Sequence, residues 1–167
     1  MKLKHISHLI TGSVMELFGV MADGKVVNSY ELTNKRGAKL KVINYGATVT
    51  SLKIPLKSGE MVDVVLGFDT LENYINSFDL ESAPYLGATV GRYAGRINNA
   101  TFNLNGEIIH LDKNNNGHSL HGGKDNFSKK VWEVKNVNEG CSPSITFGYL
   151  SPANEGNYPG DLSVELT

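Results

Sequence analysis

Apolar and polar residues alternate with a period of two along most of this chain, in short runs that glycine, Asn, Asp and Ser residues cut off. A period of two is the repeat of an extended strand with one buried face, so the spacing predicts an antiparallel all-β protein. The sharpest unit is TFNLNGEIIHL, residues 101 to 111. Asn105 and Gly106 tolerate the positive φ angles of a type I′ turn, and they stand between two alternating runs. Pairing 104 with 107 and 102 with 109 puts Phe102, Leu104, Ile109 and Leu111 on one face. Thr101, Asn103 and His110 fall on the other, which makes His110 a surface strand residue.

Residues 39 to 54, KLKVINYGATVTSLKI, alternate through Leu40 and Val42, lose phase at 44 to 46 and resume from Ala47. That slip predicts a bulge or a bend at Gly46. Further strands are expected at 28–33, 62–68, 130–134, 144–150 and 162–167. A single stretch reads as helical. Asp69 opens DTLENYINSF as an N-cap with Glu72 three residues on, ahead of Leu71, Tyr74 and Ile75 on one face of about two turns. No repeat or linker divides the chain, so one domain is expected. Leu162, Val164 and Leu166 alternate up to Thr167, so the chain stops inside what reads as a strand, a hydrophobic edge that invites aggregation or marks either a missing partner or a truncation.

Composition narrows the partners. With 167 residues, 40% of them hydrophobic, and a net charge of -1, the chain suits one soluble domain. Sixteen basic residues face seventeen acidic ones, with nothing more clustered than pairs such as Lys129 and Lys130. That excludes a nucleic-acid or anionic-membrane footprint and favours a small neutral molecule. Cys141 stands alone, so no internal disulfide forms and a reducing compartment is allowed; the expected location is cytoplasmic. The basic start MKLKHISHLITGS is interrupted by His8 and Thr11, so it does not read as a secretion signal. No run approaches the roughly 18 apolar residues of a membrane span.

Two stretches concentrate chemistry. GRYAGRI, residues 91 to 97, sets Arg92 and Arg96 four apart. In extended backbone they share a side unless Gly95 introduces a bulge. A guanidinium there either holds a hydroxyl or carboxylate in its planar fork of donors or is simply solvated. HSLHGG, residues 118 to 123, places His118 and His121 on opposite faces of a strand, where they serve different purposes and one is structural. A cleft-facing imidazole can bind a hydroxyl or move a proton near neutral pH. Gly122 and Gly123 allow a sharp turn or a close approach beneath it. No zinc spacing, phosphate-cradling glycine loop or nucleophile elbow is present. NEGNYPG, residues 154 to 160, reads as a turn, with Glu155 a distant candidate for chemistry.

These stretches, with INYGATVTSLKIP (43–55), DVVLGFDTLENY (63–74), PYLGATVGRYAGRI (84–97) and SPANEGNYPGDLSVELT (151–167), occur in an order that resembles the aldose 1-epimerase family, the galactose mutarotases. The resemblance covers the chain after about residue 17 and corresponds to the N-terminal half of a typical member. It implies an N-terminal extension at 1–17, followed at 18–167 by part of one antiparallel β-sandwich, a truncated galactose mutarotase-like supersandwich with one short helix. It also implies interconversion of α and β anomers of a small hexose such as galactose or glucose, without metal or organic cofactor. A base takes the C1 hydroxyl proton while an acid protonates the ring oxygen; the ring opens and recloses.

By the same resemblance Arg96 and His121 contact the sugar, with Gly95 beside them and Arg92, His118 and Tyr93 in support. The acid, a histidine, and the base, a glutamate, are expected beyond Thr167, so these 167 residues are expected to be inactive alone. Many members carry Asn where this chain has Gly95, which leaves sugar preference open. Two alternatives remain. One is a non-catalytic carbohydrate-binding module. The other is a hexose-6-phosphate 1-epimerase relative, ranked lower because no basic cluster is visible. Nothing in the sequence fixes the oligomeric state.

Overall fold

The computed structural model describes residues 13 to 167, so His8 and Thr11, on which the signal-peptide reading turned, lie outside it. Five strands, β1 (Ser13–Val20), β2 (Val26–Thr33), β3 (Lys39–Ile43), β4 (Thr48–Pro55) and β5 (Met61–Asp63), form one antiparallel sheet in chain order. Pairing of β1 with β2 runs from Ser13 to Val20, carrying the sheet across residue 17, where the extension was expected to meet the domain. A single helix follows, α1 (Leu71–Ser77). Next come a two-residue strand, β6 (Arg96–Ile97), the hairpin β7 (Thr101–Leu104) and β8 (Glu107–His110), and β9 (Ser119–Leu120). The last strands, β10 (Glu133–Asn138), β11 (Ser144–Ser151) and β12 (Leu162–Leu166), make a second antiparallel sheet in that order.

Sequence alternation explains why two layers are needed. β2 and β3 bury residues on both faces, Val27 and Ile43 on one, Tyr30, Leu32 and Val42 on the other, and each face requires a cover. Ile145 and Phe147 of the second sheet pack on the Tyr30 face, with Tyr30 and Phe147 edge to face at 6.3 Å. Leu71 and Tyr74 of α1 pack on the Val27 face. The sandwich is sealed by Phe127, Trp132 and Tyr149, whose ring centroids lie 5.4–5.6 Å apart. Trp132 is fully buried, and its Nε1 donates to the Phe127 carbonyl at 3.1 Å. That removes the one polar atom a buried indole would leave unpaired.

The hairpin has the expected register, Phe102 opposite Ile109 and Leu104 opposite Glu107, with positive φ at Asn105 and Gly106. Three boundaries differ from expectation. The 62–68 strand stops at Asp63, because its carboxylate accepts from Ser51 Oγ (2.5 Å) and from the amides of Leu52 (3.0 Å) and Val65 (3.1 Å), which turns the backbone off the sheet. The helix is capped by Thr70, one residue later than Asp69, its Oγ1 accepting from Asn73 N at 3.2 Å. The 130–134 strand begins only at Glu133, because the Trp132 amide donates to Asn44 and Val131 bridges Tyr45. The phase slip at 44–46 is the expected bend, a turn through Gly46 at φ 66° that connects β3 and β4, with a register shift after Lys41.

Trp132→Ala removes the ring that closes the sandwich and is expected to cost about 3–5 kcal/mol of stability, read by denaturant unfolding.

Candidate functional site

A ribbon of two residues per strand decides the site. β6 pairs with β9, Arg96 opposite Leu120 and Ile97 opposite Ser119, so the residue following β9, His121, emerges beside Arg96. Two hydrogen bonds lock the junction. The His121 amide donates to the Gly95 carbonyl at 3.0 Å, and the Gly95 amide donates to His121 Nδ1 at 3.1 Å. Asn114 splints the ribbon from outside, its Nδ2 donating to Leu120 O at 2.9 Å and its Oδ1 accepting from Leu120 N at 2.7 Å. Asn115 Oδ1 accepts from Arg96 Nε at 3.0 Å, which aims the guanidinium.

The backbone bond to Nδ1 sets the chemistry of the imidazole. An acceptor nitrogen carries no proton, so neutral His121 is protonated at Nε2 and presents a donor there. Burial lowers its pKa from the ordinary 6.5, and the neighbouring Arg96 charge lowers it further. Both effects penalise imidazolium, so the donor state persists at neutral pH. Tyr85 packs edge-on against the ring, centroids 4.9 Å apart.

The loop conformation depends on glycine. His121, Gly122 and Gly123 all have positive φ, 53°, 88° and 92°. For His121 such backbone costs about 1–2 kcal/mol, which the surrounding bonds must hold. A Cβ on Gly122 would be driven into the Gly91 carbonyl, so position 122 admits no side chain.

Arg96 and His121 line one cleft of about 570 Å³, together with Tyr85, Asn115 and Phe78. That volume is of small-molecule size. Lys113, Lys124 and Lys129 also line it, against one carboxylate, Glu81. Ion pairs among the described residues engage Lys25, Lys39, Lys41, Lys130 and Lys135, but none of the cleft cations. Folding therefore assembles a basic cluster that the sequence does not display.

The remaining expected residues are placed differently. Arg92 turns away from the cleft: its guanidinium donates to Ser151 Oγ (2.8 Å) and to the carbonyls of Ser151 (2.9 Å), Pro152 (2.8 Å) and Gly160 (2.8 Å). Arg92 and Arg96 both border a second, apolar cavity of about 470 Å³, with Tyr93, Ile97, Phe102 and Tyr158. His118 Nδ1 accepts from the Asn99 amide at 3.1 Å, tying β9 to the segment after β6. Glu155 lies outside the cleft, in contact with Lys130, Tyr149 and Ser151. Sequence reasoning passed over Asn114, Asn115 and Tyr85. The run of three Asn before Gly117 was the available signal for the first two. Among the described residues no three His, Cys, Asp or Glu side chains stand together as a metal site would need. No helix there is long and apolar enough to cross a membrane.

A family model described as Aldose 1-epimerase matches residues 28–167. Galactose mutarotase of Bos taurus is 41% identical over 126 residues, covering 75% of this chain and 34% of its own. Galactose mutarotase of Pongo abelii is 37% identical over 152 residues, covering 90% and 42%. The crystal structure of an aldose epimerase homologue from C. elegans superposes with a TM-score of 0.70 at 34% identity, over 81% of this chain and 39% of that one. The chain thus spans less than half the length of these relatives.

Arg96→Gln removes the nearby positive charge, so the His121 pKa is expected to rise towards 6.5, read from its imidazole proton shifts by NMR. Because the folded pKa lies below the unfolded one, the stability this loop contributes is present above pH 6.5 and is lost as pH falls through the folded value. Thermal unfolding across that window should show the loss, and a smaller one in Arg96→Gln.

Proposed function

The chain belongs to the aldose 1-epimerase family, and on that premise we propose that its cleft binds a hexose near the anomeric centre and that the whole protein interconverts the α and β anomers. The observation that carries this reading is the convergence of Arg96 and His121 on one cleft through the β6–β9 ribbon. Among the described residues only Arg96 Nε is engaged, by Asn115, which leaves the Nη groups to donate to sugar oxygens. His121 Nε2–H is a second donor, fixed in orientation by the Gly95 amide. As the bond from C1 to the ring oxygen breaks, negative charge grows on oxygen, and donors already in place stabilise it without reorganising. Ring opening also needs a base at the C1 hydroxyl and an acid at the ring oxygen. His121 Nδ1 is occupied, so we assign it to binding and look to groups beyond the described cleft for proton transfer. Arg92, His118 and Tyr93 are assigned to support, and residues 18–167 to one portion of the epimerase domain. The exposed thiol of Cys141 suits a cytoplasmic setting.

One observation favours a second reading. Four cations around the cleft against Glu81 would attract a phosphorylated hexose, the substrate of the related 6-phosphate enzymes.

Galactose titrated into the chain is expected to shift the NMR signals of residues 95–96 and 120–123. Arg96→Ala should weaken that binding roughly tenfold or more, as loss of a charge-assisted hydrogen bond costs about 1.5–3 kcal/mol. Tighter binding of galactose 6-phosphate than of galactose would favour the second reading; no shift with either sugar would end both. Polarimetry on the 167 residues alone should give the buffer rate of mutarotation, and a clear acceleration would contradict the assignment of His121 to binding only.

A further inference from the structure

Glu155 lies behind the cleft, and its side chain is only 8% exposed. Three donors converge on the carboxylate: Lys130 Nζ at 2.8 Å, the Tyr149 hydroxyl at 2.5 Å, and the Ser151 hydroxyl. Lys130 is also paired with Asp125 at 2.6 Å. Burial alone would raise the pKa of Glu155, but the hydrogen bonds from Lys130, Ser151 and Tyr149 outweigh it and hold the group ionised below its ordinary 4.5. A surface turn needs no ion pair of this depth, because desolvating both charges is costly unless every bond is made.

What the turn touches supplies the reason. Asn154, Gly156 and Asn157 all have positive φ, 70°, 57° and 64°, a sequence of left-handed residues that does not persist without restraint. The turn lies against the two glycines after His121. A Cβ at Gly156 would stand 2.9 Å from the Gly122 carbonyl oxygen. Asn157 Nδ2 donates to Asp112 Oδ1 at 3.0 Å, and the Asp112 side chain borders Gly123. A second route runs through Ser151, whose hydroxyl donates to Glu155 and accepts from Arg92 Nε, next to the Gly91 carbonyl that abuts Gly122.

We infer that Glu155 is a positioning residue for His121, its carboxylate holding the 154–157 turn and the Arg92 guanidinium as a two-point backstop to the Gly122–Gly123 backbone. The consequence for ligand rests on the reading of His121 as a sugar-binding group; the consequence for the imidazole does not. Besides Arg96, the charged groups lining the cleft with His121 are Lys113, Lys124, Lys129 and Glu81, and none of them touches the Glu155 network.

The test compares the unsubstituted chain with Glu155→Gln and with Gly156→Ala, which leaves the carboxylate intact and presses on Gly122 directly. In both variants the His121 titration midpoint, followed by NMR without sugar, is expected to move up towards 6.5 as the loop loosens. Galactose affinity should fall on the order of tenfold or more, as displaced binding groups commonly cost. A drop in thermal stability with the His121 midpoint unchanged in both variants would make Glu155 a purely structural residue and overturn the inference. A midpoint that moves while galactose binds neither the unsubstituted chain nor the variants supports the positioning role and overturns the sugar reading alone.

Discussion

The site depends on one reciprocal contact, the Gly95 amide on the His121 side-chain Nδ1 and the His121 amide on the Gly95 carbonyl. It joins residues 26 apart in sequence and fixes three properties together. It sets which imidazole nitrogen carries the proton. It holds His121 in a backbone region that residues with a Cβ seldom occupy. It also brings the ring to the same cleft as the Arg96 guanidinium. Because the position before Arg96 is glycine, the amide faces no side chain of its own residue while making this bond.

Everything around that contact keeps it from relaxing. Gly122 lies against the Gly91 carbonyl, and the Gly91 carbonyl accepts from the Phe127 amide. The Phe127 ring packs on Trp132 and Tyr149 at the centre of the sandwich. Core and site are therefore linked within a few residues: the aromatic cluster that closes the two sheets also sets the height of the loop carrying the imidazole. Tightly packed interiors transmit displacement in this way because they lack free volume to absorb it.

Local signals in the sequence were readable and distant ones were not. The hairpin at 101–110 follows from two turn residues and an alternation, all within one short window, and its register agrees with the structure. The strands at β2, β11 and β12 were legible for the same reason. Asp63 and Thr70 were misjudged because side-chain bonds to backbone amides ended one element and started another where hydrophobic pattern alone gave no sign. Alternation could separate His118 from His121 but could not say that Asn99 would occupy one and Gly95 the other. The cations at 113, 124 and 129 look scattered in sequence and meet only once the chain has folded around the cleft. The likeness between Arg92 and Arg96 in GRYAGRI misleads most, since one is spent on carbonyls and the other faces the cleft.

The reach of Arg92 bears on the order in which the molecule assembles. Its bond to the Gly160 carbonyl spans 68 residues, whereas Arg96 meets Asn115 across 19. Closing the longer loop costs more chain entropy, and in vectorial synthesis its partner leaves the ribosome later than Asn115 does. A nascent chain that has released Gly123 already possesses the ribbon and both cleft-facing groups, yet lacks the strut behind them. The residues that pair Arg96 with the His121 loop thus lie well upstream of those that brace the loop from behind, so the short-range part of this arrangement is set before its long-range support is available.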